Sequence, residues 1–211
     1  ENNKVKNVSI TNLPSFVVLS DQIISVPDIG KIKVSSAYGG DSFVLVENSD
    51  LNIKIEPNNA DKIANICSKI TKAASEQLGF KHPLLPELNY ISFCMLMDNI
   101  KTNSNNILES RNAVCIRPKK LDRSPCGTGT SARLAYMFKK NIININEEFI
   151  SKSILGTTFY SYIKEETNID GHQGIVPVIK GQAWITGEQE LYLDENNPFP
   201  QGYRLTDTWP Q

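Results

Sequence analysis

The sequence predicts an α+β fold, and three observations carry that prediction. Apolar runs of strand length open the chain, a segment near residue 60 changes to helical periodicity, and strand-type runs return after a second helical stretch near residue 131. The first strands are expected at 5–11, 16–19, 31–38 and 43–47, the last two joined by Gly39-Gly40-Asp41, which reads as a tight hairpin turn. Asn58 or Asn59 is placed to cap a helix at about 60–78, where Ile63, Ile66, Ile70, Ala73 and Ala74 share a face. Gly79 supplies its left-handed stop.

Beyond the proline-rich link at 83–86 a strand is expected at 90–97, then a mobile polar loop at 99–106 and a strand at 113–116. Residues 131–139 form the second helix, apolar enough at Ala132, Leu134, Ala135, Met137 and Phe138 to be buried on several faces. The remainder reads as strand at 149–163, 176–185 and 190–193, punctuated by Gly156, Gly181 and Gly187.

With 211 residues, 40% of them hydrophobic, the chain is long enough to bury a core as one large or two small domains. Its 22 basic and 23 acidic side chains leave a formal charge of -1, so neither nucleic acid nor an anionic membrane is an expected partner. A small neutral or zwitterionic ligand fits that balance better. No apolar run approaches the roughly 20 residues that span a bilayer, and residues 1–4 carry no leader pattern, so a cytoplasmic protein is expected. The first residue is Glu1 rather than Met and opens directly into a strand-like run, which suggests a cut N-terminus. Cysteines 67, 94, 115 and 126 form no CxxC pair, and with only His82 and His172 beside them no metal site is expected.

The chemistry concentrates in Asp122-Arg-Ser-Pro-Cys126-Gly-Thr-Gly-Thr-Ser-Ala132. A cysteine that opens a helix is faced by backbone N–H groups and the positive end of the helix dipole. That placement lowers a thiol pKa and cradles an anionic oxygen, making Cys126 a candidate base or nucleophile. Gly127 and Gly129 let the backbone approach a ligand, and Asp122 is placed to receive a substrate ammonium. Its bland role is to cap the loop through backbone N–H groups.

Spacing argues against three other uses of the loop. A phosphate-binding loop needs a lysine and a first glycine that are not here. A phosphatase-type Cys-x5-Arg cradle would need arginine at 132, whereas Arg133 follows one residue late. A cysteine hydrolase would pair Cys126 with His82 or His172; neither lies in a recognisable motif, and His82, between Lys81 and Pro83, reads as a surface loop residue.

The loop resembles the second active-site motif of the proline racemase family, which includes hydroxyproline epimerases and dehydratases. Tyr38-Gly-Gly-Asp-Ser-Phe43, Ser153-Ile-Leu-Gly-Thr157, the run from Ile175 to Gly187 and the run from Asp194 to Leu205 follow the family's order and spacing. The resemblance implies a diaminopimelate epimerase-like fold of two α/β lobes, each a curled β-sheet around a central helix, with the site between them. Residues 1–187 would be the second lobe, and 188–211 strands returning to the first.

It also implies racemisation or epimerisation of proline or hydroxyproline without pyridoxal phosphate or any other cofactor, two groups exchanging the α-proton on opposite faces. Carried over by motif, Cys126 is one catalytic acid/base, the Gly127 and Thr128 amides bind the substrate carboxylate, and Asp122 accepts from the ring nitrogen. A homodimer is the expected assembly. The family's other acid/base lies in a Cys-Gly-His or Ser-Gly-His motif that these residues do not contain. The expectation is therefore a chain lacking roughly the first hundred residues of a two-domain protein, and not sufficient alone for inversion.

Ile116 stands where proline racemases tend to carry an aromatic residue, which points toward hydroxyprolines. Cysteine at 126 favours epimerisation over a trans-3-hydroxyproline dehydratase, which stays open as an alternative beside an inactive binding protein. Cys67, Cys94 and Cys115 are expected as packing residues, Trp184 and Trp209 as core or lobe-contact aromatics, and Asp41 as a turn residue with some claim to the site.

Overall fold

The computed structural model describes residues 5–116, 119–203 and 205. In chain order its elements are β1 (Val8–Thr11), β2 (Ser15–Val26), β3 (Gly30–Tyr38), β4 (Ser42–Glu47), α1 (Ala60–Gln77), β5 (Phe93–Met97), β6 (Lys101–Thr102), β7 (Leu108–Ile116), β8 (Lys120–Leu121), α2 (Gly127–Lys139), β9 (Glu148–Lys152), β10 (Thr158–Ile169) and β11 (His172–Gly181). One sheet runs β1-β11-β10-β9-β7-β5-β4-β3-β2 and closes on itself, because β11 also pairs with β2 through Gly174↔Phe16 and Ile175↔Ser15. The result is a barrel with α2 inside, the curled sheet around a central helix that the family resemblance implied.

The alternation of side chains along each strand explains why two cores form. Phe43 and Leu45 of β4, with Met95 and Met97 of β5, point inward to α2. Val44, Val46, Cys94 and Leu96 point outward to Ile63, Cys67, Ile70 and Ala74 of α1. Strands buried on both faces must read as continuous apolar runs, as these do. A helix threaded through a barrel must be buried nearly all round, and every residue of α2 from 129 to 137 is buried.

Some local expectations change. Asn59 occupies the cap position of α1 but makes no capping bond; its side chain donates to the Lys54 carbonyl instead. The polar stretch 99–106 folds as a hairpin, with β6 paired to β7 and the Asn103 carboxamide accepting from the amides of Asn105 and Ile107. Strand β11 stops at Gly181, and residues 190–193, expected as strand, pair with nothing among the described residues. Trp184 is 73% exposed, which overturns the core half of its core-or-lobe-contact expectation, and Trp209 lies outside the described residues. No described helix is long and apolar enough to cross a membrane.

Candidate active site

The loop is built from β7 upward. After Ile116 the chain turns back through β8, and the Asp122 amide donates to the Val114 carbonyl at 2.9 Å. Asp122 Oδ1 accepts from the amide and hydroxyl of Ser124, both at 3.2 Å, while Ser124 Oγ accepts from the Cys126 amide at 3.1 Å. The bland role of Asp122 as a loop brace is therefore real. Its negative charge is also close enough to the Cys126 thiol to raise that group's pKa.

Cys126 caps α2. Its carbonyl takes the first helical bond from the Thr130 amide at 2.8 Å, and its Sγ accepts from the Gly129 amide at 3.4 Å, with Thr128 Oγ1 at 3.5 Å. Its φ is +68°, in the region a residue with a Cβ rarely enters and one that costs about 1–3 kcal/mol. The first amides of a helix, here those of Gly127 and Thr128, have no intrahelical acceptor.

A cleft of about 530 Å³ opens over this helix start. Asp122, Cys126, Gly127 and Thr128, the four residues singled out in the sequence, all line it, with Asn12 and Gln182 as further polar groups. Its apolar wall comes from Val8, Ile10, Phe159 and Ile179 of β1, β10 and β11, strands distant in sequence from the loop. Sequence reasoning missed that wall, whose only trace is the exposed apolar alternation of Val8 and Ile10.

The expected lowering of the Cys126 pKa is reversed. The side chain is only 7% exposed, and burial pushes the thiol up to about 11; the Thr128 hydroxyl and Gly129 amide pull it down, and the adjacent Asp122 carboxylate raises it further. Loss of hydration outweighs the helix start because a thiolate loses more by leaving water than two weak donors return. At neutral pH the group is a thiol.

Other candidates sit elsewhere. His82, expected on the surface, is buried at 5% exposure, its ring 4.5 Å from that of Tyr38, and its Nδ1 accepts from the Leu84 and Leu85 amides, each at 3.2 Å. Neither histidine lines the cleft, so no Cys–His pair forms there. Arg133 points into the barrel, over the Phe149 ring and onto the Asp98 carbonyl and Ser110 hydroxyl, so it cradles nothing at the loop. Cys67, Cys94 and Cys115 are buried beneath α1. Asp41 bonds the neighbouring Ser42 amide.

Two glycines seat the loop by their lack of a side chain. A Cβ on Gly39 would stand 2.1 Å from the Thr128 carbonyl oxygen and 2.4 Å from the Ala132 nitrogen, so the hairpin read as a simple turn is in fact the floor under α2. A Cβ on Gly129 would meet Met95 Cε at 2.8 Å and Cys126 Sγ at 3.2 Å.

The fold is shared with solved structures. A probable proline racemase from Agrobacterium radiobacter, solved with bound carbonate, matches with a TM-score of 0.80 and 30% identity over 96% of this chain and 58% of its own. A hydroxyproline epimerase from Agrobacterium vitis, solved with bound trans-4-hydroxy-L-proline, matches with a TM-score of 0.79 and 30% identity over 96% of this chain and 57% of its own. The chain thus spans under two thirds of the length of either. Residues 1–204 match the proline racemase family. With that match and the barrel it shares with these two enzymes, the chain belongs to the proline racemase family.

Proposed function

We propose that this chain supplies one half of a cofactor-independent racemase or epimerase site for proline or hydroxyproline, with Cys126 as one of two groups that exchange the α-proton. The observation that carries the reading is the position of the Cys126 thiol at the start of α2, on the wall of a cleft it shares with Asp122, Gly127 and Thr128.

The amides of Gly127 and Thr128 bind the substrate carboxylate, where the helix start favours negative charge. When the α-proton leaves, the electron pair spreads onto that carboxylate, so the same amides stabilise the transition state more than the ground state. Asp122 holds the ring ammonium. Val8, Ile10, Phe159 and Ile179 offer apolar surface to the pyrrolidine ring. The hydroxyproline bound to the similar epimerase supports a substrate of this class.

With its pKa raised to about 11, Cys126 rests as a thiol and is the proton donor to the α-carbon; in the reverse direction its thiolate removes the proton. The other group is not among the described cysteines, since 67, 94 and 115 lie in the second core. The same reading assigns residues 188–211, of which 204 and 206–211 lie outside the described residues, to strands that pair outside this lobe, supported by the 84% and 82% exposure of Leu191 and Tyr192.

The test is exchange of the α-hydrogen in deuterated water above pH 9, where the Cys126 thiolate forms and one base suffices, with proline and its 3- and 4-hydroxy forms in both configurations. Incorporation with any of them that disappears in Cys126→Ser is expected. Incorporation that survives the substitution refutes the role of Cys126.

A further inference from the structure

Among the polar groups inside the barrel, Asn112 of β7 and Ser151 of β9 are buried at 1% and 0% exposure. Polar groups so placed are costly unless every one is bonded, and these are bonded in one direction only. The Pro125 carbonyl, 2.9 Å from the Asn112 carboxamide, can only accept, so the Asn112 nitrogen faces it. The carboxamide oxygen then faces Ser151, whose hydroxyl donates to it at 2.6 Å. The Pro125 carbonyl thus sets which way the Asn112 amide points and Ser151 braces it there, so the relay ends on the peptide bond immediately before Cys126.

The orientation of that peptide depends on two rotations, ψ of Pro125 and φ of Cys126, since the proline ring already sets its own φ. Asn112 holds the Pro125 carbonyl from the barrel side at 2.9 Å, with the Thr130 hydroxyl a weaker second donor at 3.4 Å, while Ser124 Oγ takes the Cys126 amide from the loop side; together they stop both rotations. This is the peptide that must carry the unfavourable φ of +68° at Cys126, and such a conformation persists only where its surroundings impose it. Packing alone would be met by an apolar pair; a directional donor is what this peptide requires.

We propose that Asn112 is a positioning residue for the reacting thiol, fixing the Pro125–Cys126 peptide and hence the direction of Cys126 Sγ, and that Ser151 acts through Asn112 by holding its amide in place. The proposal rests on Cys126 being the reacting thiol.

The experiment follows iodoacetamide modification of Cys126, located by peptide mass spectrometry, together with α-hydrogen exchange, in the 211-residue protein and in Asn112→Ala, Ser151→Ala and the double variant. Ile70→Val, which loosens the other core beneath α1, is the control for general destabilisation. Released from its peptide anchor, the thiol leaves the buried position, its pKa falls toward that of an ordinary cysteine, and modification at pH 8 speeds up by about tenfold in Asn112→Ala while exchange slows. Ser151→Ala, the milder change, shifts both in the same direction, and adding it to Asn112→Ala changes neither further. Folded Asn112→Ala and Ser151→Ala proteins that keep both rates within about twofold of the parent overturn the proposal, as does full additivity in the double variant or an equal acceleration in Ile70→Val. If the parent shows no exchange but modification still responds to Asn112, the functional reading fails and the positioning geometry stands.

Discussion

Gly39 lies directly against Thr128: the hairpin between β3 and β4 touches the first turn of α2 so closely that a single methyl group on Gly39 would stand 2.1 Å from the Thr128 carbonyl oxygen. Asn12, just past β1, locks the same contact, its carboxamide nitrogen donating to the Gly39 carbonyl at 2.9 Å and to the Ser131 hydroxyl at 2.8 Å. The helix start that carries the thiol therefore rests on two strands remote from it in sequence.

Gly39→Ala is expected to push α2 away from the hairpin, because the atoms it meets are backbone and cannot swing aside. A loss of about 1–3 kcal/mol in denaturant unfolding is the expected size for such overpacking. The displacement also moves the Gly127 and Thr128 amides, so α-hydrogen exchange should fall by more than the unfolded fraction explains. A variant with parental stability would show that the contact yields.

Gly129→Ala differs, since its nearest obstacle is Met95 Cε, the far end of a flexible side chain. Shortening that side chain with Met95→Val should recover part of the stability that Gly129→Ala loses, measured by thermal melting. No recovery would mean that the contacts with Cys126 Sγ and Val114 Cγ2, each at 3.2 Å, are the ones that matter.

Alkaline stability should report the buried thiol. The folded pKa of Cys126, about 11, lies above that of an unfolded cysteine near 8.5, so the folded state holds the proton more tightly. Its stabilising contribution is complete below the unfolded value and is lost as pH rises from there toward 11. Cys115, pushed up to about 12 by burial, acts in the same sense and extends the loss to higher pH. Melting temperature is expected to fall above pH 9, and less steeply in Cys126→Ser. Identical slopes would show that the Cys126 thiol is not protected from water.

On the acid side the group to watch is His82. Burial lowers its pKa, His172 lowers it further, and Glu87 opposes both. A histidine whose folded pKa is depressed contributes stability that is complete above about pH 6.5 and is lost as pH falls through the folded value. Protonation would also turn Nδ1 from acceptor to donor against the Leu84 and Leu85 amides. His82→Asn keeps a short acceptor without the titration, so its melting temperature should be less sensitive between pH 7 and 5 than the parent's. An unchanged acid profile would place the titration elsewhere.

Activity itself should depend on Cys126 far more than fold does. Cys126→Ser is expected to reduce exchange by about a hundred- to ten-thousand-fold, the range of a lost general acid or base. Its unfolding midpoint should stay close to the parent's, because the hydroxyl keeps the bond from the Gly129 amide.

What the sequence determined by itself was local. The helical spacing of Ile63, Ile66 and Ile70, the stop at Gly79, whose φ is +66°, and the strand-like character of β3 and β4 are written in neighbouring residues. So is the loop from Asp122 to Ala132, whose residue order identifies the family without any knowledge of its surroundings. What only the tertiary structure decided was everything set by residues far apart in the chain: closure of the barrel by β11 on β2, the apolar wall of the cleft, the close seat of Gly39 under Thr128, and the burial of His82. The sign of the Cys126 shift belongs to this second group. Motif position alone shows the helix start that favours a thiolate, but the loss of water that opposes it comes from side chains on other strands, and the larger effect wins.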